Sequence, residues 1–324
     1  MKLIKPYFEI LEQKPRSIAI PDDMEIGPKM VRQELINTVY RQIEIAGRTC
    51  YKSEDKITPD SAAKFVERMV KSGHGAMLEH GTVYLFLTMS SRQQYFKYCS
   101  NPYSVANSTG EAEKGTWNGF VTTNYRVLVE NGWLDDLEYI CNPSKEHEKR
   151  ITVRFIADAG VMREFFRHRV TSMAQESTRY CNYLRDKFGS SITVVYPCWL
   201  KEEEELELGE DMRVIEEIYF KWLKRGWTAQ QARIFLPLGI KAEAIMTGFV
   251  KDWWGEYLIF YKETNLLDMR IHGKFPEELD EIDREKYRIV EKGLFPLRCS
   301  NTAHPQAREL AIPLREEFIK RNFY

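Results

Sequence analysis

The chain has 324 residues, a length that can bury one large hydrophobic core or two smaller ones. Hydrophobic residues make up 43% and charged residues 29% of the sequence, which is typical of a globular protein and argues against disorder. The formal net charge of −1 excludes a whole-chain attraction to nucleic acid or to an anionic membrane, so a phosphate site must come from locally clustered arginines.

The start of the chain lacks the apolar core of a signal peptide, and no run approaches the roughly 20 apolar residues of a membrane helix. The six cysteines form no CxxC pair, which argues against a disulfide framework and against a zinc ribbon. We therefore expect a cytoplasmic protein with reduced, mostly buried thiols. Spacing alone leaves a nucleophilic cysteine open.

The first predicted elements are an apolar stretch at residues 8–11 and a helix over residues 31–45, joined by a connection rich in Pro and Gly. Residues 60–71 predict an amphipathic helix with Thr58 as its N-cap. Residues 82–88 are rich in β-branched and aromatic side chains, which predicts a strand buried on both faces.

Further along, residues 101–119 collect Asn, Pro, Ser and Gly and predict a loop, whereas residues 120–129 look extended. The alternation at residues 151–156 predicts a strand that leads into a helix through Phe166. The Arg-rich stretch that starts at Arg167 follows this strand and helix directly.

The last third of the chain contains an acidic run at residues 201–210, which predicts the solvated start of a helix through Trp222. Residues 262–292 form a long charged segment. Because no internal repeat or low-complexity tract is present, we predict one elaborated domain over residues 1–324, with an N-terminal elaboration at residues 1–45.

The sequence Arg167-His168-Arg169 places three potential cations side by side, and consecutive side chains of a helix point in different directions. They are therefore predicted to serve different anionic groups. The next polar cluster consists of Gln175, Glu176, Ser177, Thr178, Arg179 and Tyr180. Its hydroxyls, amide and guanidinium suit a phosphate and a polar base. By charge and polarity alone, a solvated helix face with salt bridges is an equally good interpretation.

The order of these residues resembles a known family. Arg-His-Arg from Arg167, seven further residues and Ser177 are similar to the signature of the flavin-dependent thymidylate synthases. Residues 78–80, Leu-Glu-His before a strand, resemble the family's flavin-contacting segment. Residues 232–237 resemble its Ala-Arg-x-x-Leu-Pro element, and residues 297–306 resemble the C-terminal segment that supplies the catalytic arginine.

The resemblance implies an α/β (α+β) fold with a central, mostly antiparallel sheet and flanking helices. It implies a homotetramer that binds FAD at subunit junctions, and it implies no requirement for a cysteine or a metal. The implied reaction is the reductive methylation of dUMP to dTMP, with methylene-tetrahydrofolate as carbon donor and NADPH as the reductant of the flavin.

The resemblance also implies roles for individual residues. The implied flavin-binding residues are His80, Thr82, Arg167, His168, Arg169, Gln175, Phe249 and Lys251. The implied dUMP-binding residues are Glu164, Arg167, Gln175, Glu176, Ser177, Thr178, Arg179, Arg233 and Arg298. Arg298 is the implied catalytic residue, set against the uracil to favour its N3-deprotonated form. Arg233 is implied to reach in from a neighbouring subunit.

The chain departs from the family pattern at two places. Many members carry Asn-Glu where this chain has Ala174-Gln175, so an amide replaces a carboxylate near the nucleotide. The flavin-contacting Asn-x-Arg element falls on Phe249-Val250-Lys251, so an amide is lost and a planar guanidinium becomes a point charge. The alternatives are a related enzyme that hydroxymethylates the pyrimidine and a nucleotide-binding oligomer without flavin chemistry. The long charged interval suggests an insertion at residues 255–292.

Overall fold

The protein is represented by a computed structural model that describes residues 1–15, 27–255, 257–261, 287–291 and 293–323, with only the backbone course given for residues 257–261 and 287–291. The strands are β1 (Lys2–Ile4), β2 (Tyr7–Leu11), β3 (Thr82–Thr88), β4 (Val105–Thr109), β5 (Asn118–Asn124), β6 (Arg150–Asp158), β7 (Ser172–Gln175), β8 (Thr193–Val195), β9 (Lys241–Phe249), β10 (Tyr257–Tyr261) and β11 (Tyr287–Glu291).

Helices flank these strands along the chain. They are α1 (Pro28–Tyr51), α2 (Ser61–Lys71), α3 (Gly75–Leu78), α4 (Arg92–Cys99), α5 (Tyr125–Asn131), α6 (Ala159–Phe165), α7 (Glu205–Lys224), α8 (Ala229–Ala232), α9 (Val250–Trp254), α10 (Leu294–Cys299) and α11 (Pro305–Lys320). No helix in the part of the chain that the structure describes is long and apolar enough to cross a membrane.

The central sheet has the strand order β2-β6-β9-β7, and all of its pairings are antiparallel. The strands β6 and β9 lie in the middle and pair over nine residues each. A second sheet has the order β3-β5-β4 and is also antiparallel. The predicted fold class, mixed α and β with a mostly antiparallel central sheet and flanking helices, is confirmed.

The two faces of the central sheet differ in chemistry because side chains alternate along each strand. The face formed by Ile151, Val153 and Phe155 of β6 packs with Ala244 and Met246 of β9 against α6, α9, α10 and α11. The opposite face carries the other half of each strand, which is largely polar and faces α1, α3 and β3. This polar face holds much of the candidate site.

Two predictions about the region between residues 101 and 129 were wrong in part. Residues 105–109 form β4 because they pair with β5, a contact that local composition does not reveal. The extended segment ends at Asn124, whose side chain accepts a 3.2 Å hydrogen bond from the Val127 N–H and so starts α5. Residues 82–88 form the predicted strand, but Phe86 is 39% exposed, so only one face is fully buried.

Other predictions hold with shifted ends. The helix predicted over residues 31–45 is α1, which is longer at both ends. The N-cap of α2 is Asp60 rather than Thr58, because the Ser61 hydroxyl turns back to bond the Thr58 N–H and C=O. The acidic run leads into α7 as predicted. All six cysteines are free, but Cys181 is the one that is fully buried, so the prediction of mostly buried thiols was wrong.

The strand β10 lies at the start of the predicted insertion at residues 255–292 and the strand β11 lies at its end. These two strands pair in antiparallel orientation. Residues 262–286, which hold most of the predicted charged segment, lie outside the described residues. Gly255 and Gly293 flank the two strands, with φ of 90° and 116° respectively, a region that only glycine adopts freely. A Cβ atom added to Gly293 would overlap the Gly255 backbone.

The substitution Gly293→Ala is predicted to destabilise the protein, since it adds both backbone strain and a backbone overlap. We expect the free energy of unfolding to fall by about 2–4 kcal/mol in urea titrations. Gly226→Ala is the matched control because Gly226 has φ of 95° with open space around it, so it should cost only about 1–2 kcal/mol. Equal losses in the two variants would contradict the proposed overlap.

Candidate functional site

The Arg-His-Arg sequence lies in the turn after α6, so it follows the helix as predicted, but its side chains do not project from a helix as we expected. The helix begins at Asp158, whose carboxylate accepts a 2.9 Å hydrogen bond from the Val161 N–H, and its last residue is Phe165. The backbone then turns, and the Thr171 hydroxyl closes the turn on the His168 carbonyl at 2.8 Å. Within this turn, Arg167 and Arg169 are exposed and His168 is buried.

The helix α10 brings Arg298 onto the end of α6. Arg298 Nη1 donates to Glu164 Oε2 at 2.6 Å, and its Nη2 donates to the Glu164 carbonyl at 2.6 Å. Its Nε donates to His168 Nε2 at 3.1 Å. The predicted catalytic arginine therefore contacts one predicted substrate residue and one predicted flavin residue, although 134 positions separate Arg298 from Glu164.

The protonation states in this cluster follow from burial. Burial, followed by the charge of Arg298, lowers the pKa of His168 to about 4, although Glu164 opposes the shift. His168 is therefore neutral near pH 7, and because its Nε2 accepts a hydrogen bond, its proton lies on Nδ1. Burial also lowers the pKa of Arg298, an effect that Glu164 opposes. Arg298 uses three of its five N–H donors here, so two remain for a ligand.

A cavity of about 710 Å³ lies beside this turn. Three predicted flavin-binding residues, Arg169, Phe249 and Lys251, line it. Its wall also contains Arg150, the first residue of β6, and the ion pair between Glu79 and Arg126 at 2.6 Å. The sequence interpretation missed Arg150. Its presence in the wall follows from strand alternation, because it shares the polar face of β6 with Thr152.

His80 and Thr82, the other two predicted flavin residues of this region, do not line the cavity, but Thr82 accepts a hydrogen bond from the lining residue Arg150. His80 is fully buried, with Nδ1 2.8 Å from Thr247 Oγ1, which in turn lies 2.9 Å from Thr152 Oγ1. Burial, assisted by the charge of Arg150, lowers the pKa of His80 to about 3, so the ring is neutral. Its Nε2 has no hydrogen-bond partner within the described ranges.

The predicted nucleotide segment begins at the end of β7, where Gln175 pairs with Ala244 of β9. Ser177 Oγ accepts a hydrogen bond from the Arg179 N–H at 3.3 Å, which folds the segment into a turn. Arg179 is exposed, and its Nε donates to Gln230 Oε1 at 3.0 Å. Of the other predicted dUMP residues, Thr178 is partly buried within this turn and Arg233 is exposed at the end of α8.

Glu176 is held inside a buried group of charges. Its Oε2 lies 2.9 Å from Lys241 Nζ and 3.3 Å from Lys52 Nζ, and Lys52 Nζ also lies 2.5 Å from Glu243 Oε2. Lys52 follows α1 with φ of 47°, which aims its side chain back at the sheet. Burial opposes the charged form of Lys52, but Glu176 and Glu243 prevail and raise its pKa. Lys52 gave no signal in the sequence.

The comparisons with known proteins agree with the sequence resemblance. Residues 146–258 match the family model of the thymidylate synthase complementing proteins. This stretch runs from just before β6 to β10, so it contains the Arg-His-Arg turn, the nucleotide segment and the residues 249–251. The predicted resemblance to the flavin-dependent thymidylate synthases is confirmed for this part of the chain.

Two relatives carry the name flavin-dependent thymidylate synthase. The one from Corynebacterium aurimucosum is 40% identical and the one from Mycolicibacterium vanbaalenii 42% identical, each over 52 residues. These alignments cover 15% of this chain and 21% of each relative, so the chain spans about a fifth of the length of the curated relatives it matches.

Among solved structures, this chain is similar to a UMP/dUMP methylase, PolB, from Streptomyces cacaoi, in crystals with 5-Br dUMP or with 5-Br UMP. The identities are 14% and 12%, and both TM-scores are 0.29. The superpositions cover 78% and 77% of this chain and 76% and 74% of the solved chains.

The substitution Lys52→Met is predicted to destabilise the fold strongly, because it leaves Glu176 and Glu243 buried with one fewer cation. We expect a loss of about 3–5 kcal/mol in urea-induced unfolding. Lys71→Met is the control, since Lys71 pairs with Glu67 at the surface and should change stability little. A Lys52→Met protein as stable as the Lys71→Met protein would rule out a stabilising role for the buried group.

His168 is predicted to stay neutral, with its proton on Nδ1, from pH 8 down to about pH 5. The folded-state pKa lies below the ordinary value of about 6.5, so the unfolded chain takes up a proton first and stability falls as the pH drops from about 6.5 toward 4. Long-range ¹H–¹⁵N spectra, assigned with His168→Gln, measure both properties. Protonation of His168 near pH 6 would contradict the contact with Arg298.

Proposed function

We propose that this protein is a flavin-dependent thymidylate synthase, an enzyme that methylates dUMP reductively to dTMP. The observation that carries the proposal is the contact of Arg298 with Glu164 and His168. It joins two segments that the sequence resemblance implies to be parts of one active site. The names of the two bacterial relatives support the same reaction. Methylene-tetrahydrofolate would supply the carbon, and NADPH would supply the electrons.

The cavity beside Arg169 fits a flavin. Its volume of about 710 Å³ lies within the usual range for cofactor pockets, and Arg169 and Lys251 offer positive charge for a pyrophosphate. The Nε2 of His80, which has no hydrogen-bond partner in the described part of the chain, is a buried polar atom in the residue that follows Glu79 of the cavity wall. FAD, when bound and reduced by NADPH, supplies the hydride of the reaction. The protein's part is to hold the ring and the pyrimidine in register and to exclude water.

Arg298 is proposed to act on the uracil ring. Its two remaining N–H donors would face the pyrimidine, where a fixed cation in a site of low dielectric constant stabilises negative charge at N3. Glu164 holds the guanidinium through its carboxylate and its backbone carbonyl, so the arginine is oriented before the substrate arrives. His168, being neutral, orients Nε without adding a second positive charge.

The phosphate of dUMP is proposed to bind at Ser177 and Arg179, with Gln175 and Thr178 beside it. Glu176 is proposed to hold this segment in place through Lys52 and Lys241, which both contact its Oε2. Arg233 is exposed, which is compatible with a contribution to the site of a neighbouring subunit in a homotetramer. We further propose that residues 1–324 form a single catalytic domain and that the protein is cytoplasmic.

Two alternative functions rest on specific residues. The amide of Gln175 in place of a carboxylate prompts a pyrimidine hydroxymethylating enzyme. The replacements at Phe249 and Lys251 prompt a nucleotide-binding protein without flavin chemistry. Mass spectrometry of the product formed from dUMP separates methyl from hydroxymethyl transfer. Tight dUMP binding by a protein whose flavin is not reduced by NADPH would favour the second alternative.

The purified protein is predicted to show the visible absorbance of FAD, to lose it on addition of NADPH and to convert dUMP to dTMP with methylene-tetrahydrofolate. Arg298→Met should lower kcat by about 10²- to 10³-fold, because it removes a fixed cation from the developing anion. Arg321→Met is the control, since Arg321 lies at the end of α11 and pairs with Glu317 and Glu12. Colourless protein that cannot be reconstituted, or full activity in Arg298→Met, would contradict the proposal.

A further inference from the structure

Arg150 occupies a position in the cavity that neither the motifs nor the named relatives assign. It is the first residue of β6 and lies directly opposite Phe249 in the pairing of β6 with β9. Strand alternation puts both side chains on the polar face of the sheet. The guanidinium carbon of Arg150 lies 5.5 Å from the centroid of the Phe249 ring, within the range of a cation–π contact.

The hydrogen bonds of Arg150 join three parts of the site. Its Nη1 donates to the Glu79 carbonyl at 3.0 Å and to Thr82 Oγ1 at 3.2 Å, and its Nη2 donates to Ser172 Oγ at 3.3 Å. Arg150 thereby connects the start of β3 with the start of β7, the strand that follows the Arg-His-Arg turn. Loss of this side chain would remove all three hydrogen bonds and with them this link between β3 and β7.

Arg150 also has donors to spare. Three of its five N–H groups have protein acceptors, and its Nε is buried without any acceptor in the described part of the chain. Burial lowers its pKa to about 10, against the opposing charges of Tyr84, Asp252 and Glu79, so it remains charged near pH 7. Arg150 lines the cavity, so the second N–H of its Nη2, which has no acceptor in the described part of the chain, is available to a ligand there.

The surroundings of Arg150 match the place where the chain departs from the family pattern. Phe249 stands where an amide is expected and cannot donate a hydrogen bond, and Lys251 stands where a planar guanidinium is expected. Arg150 supplies a planar guanidinium from the neighbouring strand, and the Phe249 ring supports its flat face. Arg150 thus offers, in the same cavity as Phe249 and Lys251, the planar guanidinium that the family pattern has at position 251.

We propose that Arg150 is a cofactor-binding residue of this chain, which donates hydrogen bonds to oxygen acceptors of the flavin dinucleotide and replaces the guanidinium absent from position 251. This inference rests on the proposed function, because it takes the cavity to be the flavin site. It makes Phe249 a support for Arg150 rather than a defect in the site.

The test is a titration of the full-length protein with FAD, in which the quenching of flavin fluorescence measures binding. Arg150→Met should weaken FAD binding by about 10- to 100-fold, as expected for the loss of charged hydrogen bonds, and Arg150→Lys by less. The matched control is Arg154→Met, which removes a cation from the same face of the same strand, where it pairs with Glu9 and Glu243. This control should bind FAD within about twofold of the unchanged protein.

Calorimetric titration with dUMP and thermal unfolding of each variant complete the design. A loss of FAD affinity with unchanged dUMP affinity supports the proposal, whereas equal loss of both shows a structural role for Arg150 and overturns it. Unchanged FAD affinity in folded Arg150→Met also overturns it and leaves the proposed function standing. If Arg150→Met does not fold, folded Arg150→Lys decides, and unchanged FAD affinity there overturns the proposal. Failure of the unchanged protein to bind FAD removes the proposed function and this inference together.

Discussion

The antiparallel pairing of β6 with β9 is the constraint on which the rest of the structure depends. Each strand pairs over nine residues in the middle of the central sheet, so both faces of the pair are covered. One face is apolar and packs on α6, α9, α10 and α11. The other face buries Thr152, Thr247 and Glu243, which must find partners because buried polar groups without them are costly. The partners they find, His80 and Lys52, come from segments far away in the chain.

The same pairing separates two polar groups by a fixed distance. Thr247 lies at the end of β9 near the cavity, and Glu243 lies four residues earlier near the nucleotide segment. A strand rises about 3.4 Å per residue, so the two groups are about 14 Å apart along a rigid element. The strand β7 runs beside them from Ser172, at the cavity, to Gln175, at the nucleotide segment. The sheet thus sets the spacing between the cavity and the predicted nucleotide segment, while turns supply the exposed residues Arg169 and Arg179.

The sequence predicted the parts of the fold and site that have a local signature. The alternation at residues 151–156 identified β6, and the motifs include Arg169, Phe249 and Lys251, which line the cavity. What it missed depends on long-range pairing. The strand β4 forms because it pairs with β5. The role of Lys52 is visible only in the structure, where it follows α1 and contacts Glu243, 191 positions away. The helix predicted through Phe166 ends at Phe165, but the Arg-His-Arg side chains, which were predicted to project from a helix, lie in the turn that follows it.

The charges around Arg298 explain why a histidine, rather than a second carboxylate, contacts its Nε. Glu164 balances the charge of Arg298, and a second carboxylate would make the cluster negative and repel the phosphate of the proposed nucleotide substrate. A neutral imidazole accepts the hydrogen bond without adding charge, and burial keeps it neutral. Arg167, exposed beside the cluster, is close enough to lower the pKa of Arg298 and leaves a net positive charge at the surface. The cluster thus fixes the geometry of Arg298 while the approach to it remains attractive to phosphate.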